Sequence, residues 1–94
     1  MWVYLLASKK GGTLYVGVTR SLSRRVADHR EGRGSEFAAR HGALRLVYAE
    51  HHATPEEAIA QEKRIKHWRR AWKIALIERS NPGWNDLYVT THLA

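Results

Sequence analysis

Five side chains in this sequence have the types and spacing to share one chemical site: Tyr4, Tyr15, Arg25, His29 and Glu62. Tyr4 and Tyr15 stand on two short apolar runs joined by a glycine-containing turn, Arg25 follows Tyr15 by ten residues, and His29 follows Arg25 by four. A tyrosine hydroxyl, with a pKa of about 10 in water, acts as a base only when nearby positive charge polarises or deprotonates it. Arg25 could supply that charge, and so could a cation held by Glu62. An arginine also grips a phosphate through two donors at once, and a histidine one helical turn away could orient the same phosphate or deliver a proton to a departing oxygen.

Each residue also has a purely structural reading. Tyrosine in a strand is most often packing, and Arg24 and Arg30 are read as basic residues of a solvated helix face. Arg25 shares a face with His29, beside Leu22 and Val26, which places both where the helix meets its neighbours. On the later helix, Ala58, Ile59, Ile65 and Trp72 recur at helical spacing, and Glu62 falls among them, four after Ala58 and three before Ile65. A carboxylate in or beside a buried face needs a cation, a metal ion or several hydrogen bonds. The spacing leaves both a metal ligand and a structural ion pair, with Arg25 or another base, open.

Other chemistry-bearing residues give less. His41 lies in a glycine-rich loop and His51 and His52 follow a strand, without zinc-site spacing, so they are read as surface residues. Trp68 and Trp72, four apart, are read as core or helix-pair contacts rather than base-stacking platforms. Lys63, Arg64, Lys66, Arg69, Arg70 and Lys73 crowd one helical stretch. Such a run is commonly a solvated face, and it would equally track a phosphate backbone, with Lys63, Lys66, Arg69 and Arg70 as the candidate contacts.

The elements that must position these groups follow from composition and pattern. Ninety-four residues have room for one small core and so for one domain, 1–94. Sixteen Lys and Arg against nine acidic residues give a net charge of +7, spread along the chain, which points to a polyanionic partner. The absence of cysteine excludes disulfides and thiolate metal sites, and the apolar N-terminal run is too short to span a bilayer, so a soluble cytoplasmic protein is expected. Trp2 to Ala7 and Thr13 to Thr19 read as a β-hairpin around Ser8 to Gly12. Ser21 caps a helix from Leu22 to about Glu31, Gly32, Gly34 and Ser35 break it, Glu36 to Arg40 forms a short helical piece, and Leu44 to Glu50 forms a third strand. Thr54-Pro55-Glu56-Glu57 starts a helix to about Trp68, with a further helical segment to about Glu78. Residues 79–94 are expected to dock back through Trp84 and Leu87. This α+β order, ββααβαα, suits a three-stranded sheet covered by helices.

Taken together, these residues resemble the GIY-YIG nuclease superfamily, and within it the small stand-alone bacterial members of the UPF0213 or excinuclease-C-like type. Trp2-Val3-Tyr4 matches the first motif and Tyr15-Val16-Gly17 the second; Arg25 and His29 match the arginine and histidine of the family's first helix, Glu62 its metal-binding glutamate, and NPGWNDL the end of the small members. The resemblance implies an antiparallel three-stranded sheet flanked by helices. It also implies hydrolysis of DNA phosphodiesters with one divalent metal, Mg2+ or Mn2+, held by Glu62. On that reading one tyrosine activates water, Arg25 stabilises charge at phosphorus, and His29 positions the phosphate or assists proton transfer; Tyr4 and Tyr15 both remain candidates for the base. DNA is favoured over RNA as partner, with a role in DNA repair or processing and low sequence specificity. The alternative is a basic nucleic-acid-binding module that keeps the fold without catalysis. The first motif lacks its glycine, Phe37 stands where many relatives have a tyrosine or histidine, and Asn81 lies farther from Glu62 than the late asparagine of larger relatives does from its glutamate.

Overall fold

The computed structural model describes residues 1–88, which form three strands and four helices in the order ββααβαα. Strand β1 (Trp2–Ala7) is central, flanked by β2 (Leu14–Thr19) and β3 (Arg45–His51), and both pairings are antiparallel. The run Val3 to Ala7 is buried throughout, as a strand covered on both faces requires. Alternation then divides it: Val3, Leu5 and Ala7 enter one core, and Tyr4 and Leu6 enter the other.

The hairpin turn is closed by the Ser8 amide donating to the Thr13 carbonyl at 3.0 Å and the Thr13 amide donating to Ser8 Oγ at 2.9 Å. Gly11 supplies the left-handed residue, with φ of 71°. Across β1 and β3 the register slips between Leu5 and Leu6, which pair with Tyr48 and Leu46, so Val47 is the extra residue of a bulge. The bulge lets Val47 and Tyr48 both serve the same core while Leu46 serves the other.

On one face lie α1 (Leu22–Arg30) and α2 (Glu36–His41). Leu22 and Val26 pack with Tyr4, Leu6, Ala38 and Leu46. On the other face lie α3 (Pro55–His67), against β1 and β2, and α4 (Arg70–Ser80), against β3. Thr54 caps α3 by accepting from the Glu57 amide, and Pro55 occupies its first turn. Ser21 occupies the N-cap of α1 but makes no side-chain cap.

Several expectations from the pattern are corrected. The helical stretch breaks at Trp68-Arg69, and the buried stripe is Ala58, Ile65 and Ile77; Ile59 is 40% and Trp72 54% exposed. The break turns α4 to follow β3, which takes Trp72 off the line extrapolated from α3. His52 is half-buried rather than a surface residue, with Nε2 enclosed 3.6 Å from Glu50 Oε1. The strand after α2 starts at Arg45 and ends at His51, and residues 79 and 80 belong to α4.

Past α4, Trp84 is buried, with its Nε1 donating to Glu78 at 2.7 Å. The Leu87 amide donates to the Leu46 carbonyl at 2.8 Å, and Asp86 pairs with Arg30 of α1. The remainder of the expected docked tail, residues 89–94, lies outside the described residues. Among the described residues no helix is long and apolar enough to cross a membrane.

Candidate active site

Tyr4 is the centre of the site. Its partner across β1 and β2 is Gly17, while Tyr15 pairs with Leu6, so the two tyrosines are diagonal neighbours and not directly opposed. The Tyr4 ring lies flat against Gly17, where an added Cβ would sit 2.5 Å from both Cζ and the hydroxyl oxygen. The glycine of the Tyr15-Val16-Gly17 motif is therefore the space that the first motif's tyrosine occupies.

Burial of Leu22, Val26 and His29 at successive turns of α1 lays His29 onto the same spot. Its Nε2 is 2.9 Å from the Tyr4 hydroxyl, and its ring packs edge-on against both tyrosines, with centroids 5.8 Å from Tyr4 and 5.1 Å from Tyr15. The Ser35 backbone amide donates to Nδ1 at 3.3 Å. An Nδ1 that accepts leaves the proton of a neutral ring on Nε2, which then donates to Tyr4. Burial, and after it the Arg25 charge, hold the His29 pKa below its usual value, so the ring is neutral at pH 7. Gly34 makes this contact possible: a Cβ there would lie 2.3 Å from His29 Nδ1.

Arg25 is half-buried beside both tyrosines. Burial, reinforced by Tyr15, pushes the Tyr4 hydroxyl up to about 12, and Arg25 pulls only partly against that. Tyr4 is thus a neutral phenol with no exposed surface, whereas Tyr15 is half-buried. His29 is 2% exposed, with Nε2 against the Tyr4 hydroxyl and Nδ1 accepting from the Ser35 amide. Tyr4, enclosed in the same way, does not meet solvent directly.

Glu62 stands apart. It belongs to α3, in the layer on the opposite face of the sheet from α1, and its side chain is 12% exposed. Its ion pair is with Lys66, at 2.9 Å and one turn on, rather than with Arg25. α3 packs against the edge strand β2, which also carries Tyr15, so that edge lies between Glu62 and the tyrosines. Among the described residues no group of three or more His, Cys, Asp or Glu side chains gathers to hold a metal. A nearly covered carboxylate, balanced by an exposed flexible ammonium, still fits a cation that takes the rest of its shell from water and substrate oxygens, which is how Mg2+ is commonly held.

The four candidate polyanion contacts divide. Lys63 and Arg69 are exposed, and Lys66 is exposed while holding Glu62. Arg70 instead donates Nη2 to the carbonyls of Gly11 and Gly12, at 2.6 and 2.5 Å, and so ties α4 to the hairpin turn. Asn81 is 5% exposed; it donates to the Val47 and Asn85 carbonyls and accepts from the Asn85 amide, which makes it a structural clamp. The positioning residues Gly34 and Ser35 read from the sequence only as helix breakers, and Gly17 only as part of the second motif.

Comparisons with known proteins agree with this arrangement. The GIY-YIG catalytic domain matches residues 1–75. A UPF0213 protein of Bacillus pumilus is 39% identical over 67 residues, covering 71% of this chain and 68% of that protein. UPF0213 protein BH0048 of Halalkalibacterium halodurans is 34% identical over 91 residues, 96% of each chain. The solution NMR structure of BH0048 superposes with a TM-score of 0.56 over 90% of this chain and 89% of that one, at 30% identity. With its motif tyrosines, first-helix arginine and histidine, and sheet order all in place, the chain belongs to the GIY-YIG nuclease family, among the UPF0213 proteins.

Proposed function

We propose that this protein is a divalent-metal-dependent endonuclease that hydrolyses DNA phosphodiesters with low sequence specificity, in DNA repair or processing. The observation that carries the reading is the Tyr4, Tyr15, Arg25 and His29 cluster: two phenols and a guanidinium, ordered by a buried neutral imidazole. A plain binding module has no use for an imidazole tautomer fixed by a backbone amide.

In this reading the two tyrosines do different work. Tyr4, buried and accepting from His29, directs its own O–H outward and keeps its proton. Tyr15, less covered and next to the Arg25 charge, hydrogen-bonds and orients the attacking water, whose proton passes to solvent as its oxygen bonds to phosphorus; the bond from phosphorus to the leaving sugar oxygen breaks, and that oxygen takes a proton from solvent. Arg25 offsets the charge that builds on the phosphate oxygens, where a preorganised cation is most effective. Glu62 would hold Mg2+ or Mn2+ against the same phosphate across the β2 edge, and the ion would supply Lewis-acid neutralisation of that charge. Lys63, Lys66 and Arg69 would follow the phosphate backbone, so binding falls steeply with salt.

The test is incubation of the purified protein with nicked, branched, single-stranded and plain duplex DNA, and an RNA control, with Mg2+ or Mn2+. Cleavage that disappears with chelator and with Glu62→Gln supports the reading. Salt-sensitive binding without turnover, unchanged by Glu62→Gln, would establish the binding module instead.

A further inference from the structure

A groove among the described residues stands apart from the tyrosine cluster. It lies where α3 breaks into α4, has a volume of about 300 Å³, and is lined by Trp68, Trp72, Ala75, Leu76 and Arg79. That is the small end of the range for ligand pockets. Trp68 and Trp72 meet edge to face across the helix break with ring centroids 6.4 Å apart and planes at 78°, and Trp72 remains 54% exposed. The Arg69 guanidinium sits over the Trp72 ring at 5.7 Å. Arg79 also lines the groove, and among the described residues no acidic side chain does.

An exposed tryptophan on a helix costs solubility and adds nothing to this core. Its setting has two parts. One is an aromatic wall, which accepts any flat ring. The other is a pair of arginines with no carboxylate to answer them at the groove, on a chain of net charge +7. A ligand that complements both carries a flat aromatic ring and a negative charge. Aromatic stacking combined with arginine is how proteins hold unpaired bases along a charged backbone. A base inside a duplex offers no free face, so the groove takes a strand end, a flap or a single-stranded gap.

We infer that the Trp68–Trp72 groove is a stacking site for one unpaired base of a single-stranded nucleic acid segment, with Arg69 and Arg79 facing the adjoining phosphates. This deepens the nuclease reading and rests on it: the substrate class becomes DNA with a single-stranded portion, held on the α4 side while the duplex lies toward the tyrosines.

The test measures binding in metal-free buffer with chelator, so that it is independent of catalysis. The probes are a 15-nucleotide oligo(dT) and a 15-base-pair duplex, followed by anisotropy and tryptophan emission. Expected are quenching by oligo(dT) and a loss of about 5- to 150-fold in oligo(dT) affinity for Trp72→Ala, the range for one stacked base. Duplex affinity should stay within about twofold, and Trp72→Phe should restore most of the loss. Equal effects on both probes, or none, would overturn the inference. So would a dimer that Trp72→Ala dissolves while oligo(dT) affinity is unchanged, or binding of an acidic peptide where oligo(dT) fails. Normal cleavage of a duplex alongside a failed Trp72 experiment refutes this site alone, whereas absence of cleavage with Trp72-dependent binding refutes the nuclease reading alone.

Discussion

Replacing Gly17 with alanine places a methyl group inside the space of the Tyr4 ring, 2.5 Å from Cζ and from the hydroxyl oxygen and 2.9 Å from Cε1. Carbon atoms in ordinary contact stand about 3.5–4.0 Å apart, so the ring must withdraw by roughly 1 Å. It has nowhere to go, being fully buried and backed by the rings of His29 and Tyr15. Overpacking of this kind costs about 1–3 kcal/mol. Pulling the hydroxyl off His29 adds about 0.5–1.5 kcal/mol, which makes roughly 1.5–4.5 kcal/mol together. Folding stability of a small domain is only about 5–15 kcal/mol, and each kcal/mol is worth about 4–8 °C at this size, so Tm should fall by at least about 6 °C. The assay is urea unfolding of Gly17→Ala, Tyr4→Leu and the double variant. Leucine lacks the atoms that the methyl group would strike, so Gly17→Ala should cost at least about 1 kcal/mol less in the Tyr4→Leu background, as contacting residues couple. Equal cost in both backgrounds, or a cost below about 0.5 kcal/mol, would show that Gly17 does not make room for Tyr4.

Further outcomes follow from the same contacts. Because the His29 pKa is lowered in the folded state, first by burial and then by Arg25, the unfolded chain binds the proton first. The His29 contribution is therefore complete above its unfolded value of 6.5 and is lost as pH falls through the lower folded value; urea midpoints from pH 7.5 to 4.5 should drop more steeply for the wild type than for His29→Gln. Asn81→Ala strands the Val47 and Asn85 carbonyls and should lower stability by about 1–3 kcal/mol, with cleavage by the folded fraction unchanged, read by paired unfolding and activity assays. Partial burial of Asp86 raises its pKa, but the hydrogen bond from Arg30 and the amides of Tyr88 and Leu46 outweigh this and leave it lowered. Its contribution is thus present above the unfolded carboxylate value and lost as pH falls through the folded one, and Asp86→Ala should cost about 1–2 kcal/mol by the same unfolding assay.

The order of elements was legible because each carries a local signal: the continuous apolar run of β1, the Gly11-Gly12 turn, and the Thr54-Pro55 start of α3. The motif residues were legible because their spacing is set by hairpin register and helix pitch. What periodicity missed lies where the chain changes direction. The break at Trp68-Arg69 carries neither glycine nor proline, so the stripe from Ala58 and Ile65 extrapolated through it and placed the exposed Trp72 in the core, whereas Ile59, within α3 itself, lies at the margin of the buried stripe. The surroundings of His29 were hidden for a similar reason. One helical turn from Arg25 says which face it shares, but only the fold shows that Gly34 and Ser35 return to close over it. Glu62 was recognised as an anomaly on a half-buried face, with Arg25 or another base as its ion-pair partner; that partner is Lys66, one turn on along α3.

The central claim is that the α1-side cluster and Glu62 act as one metal-dependent catalyst across the edge of β2. The most direct measurement is the initial rate of cleavage of one branched DNA by the wild type and by Glu62→Gln with Mg2+, with equal DNA affinity and equal folding stability first shown for both. The account predicts a loss of at least about 100-fold in rate at unchanged affinity, on the scale of several kcal/mol of transition-state charge stabilisation. Equal rates for the two proteins, or cleavage that persists in chelator, would contradict it.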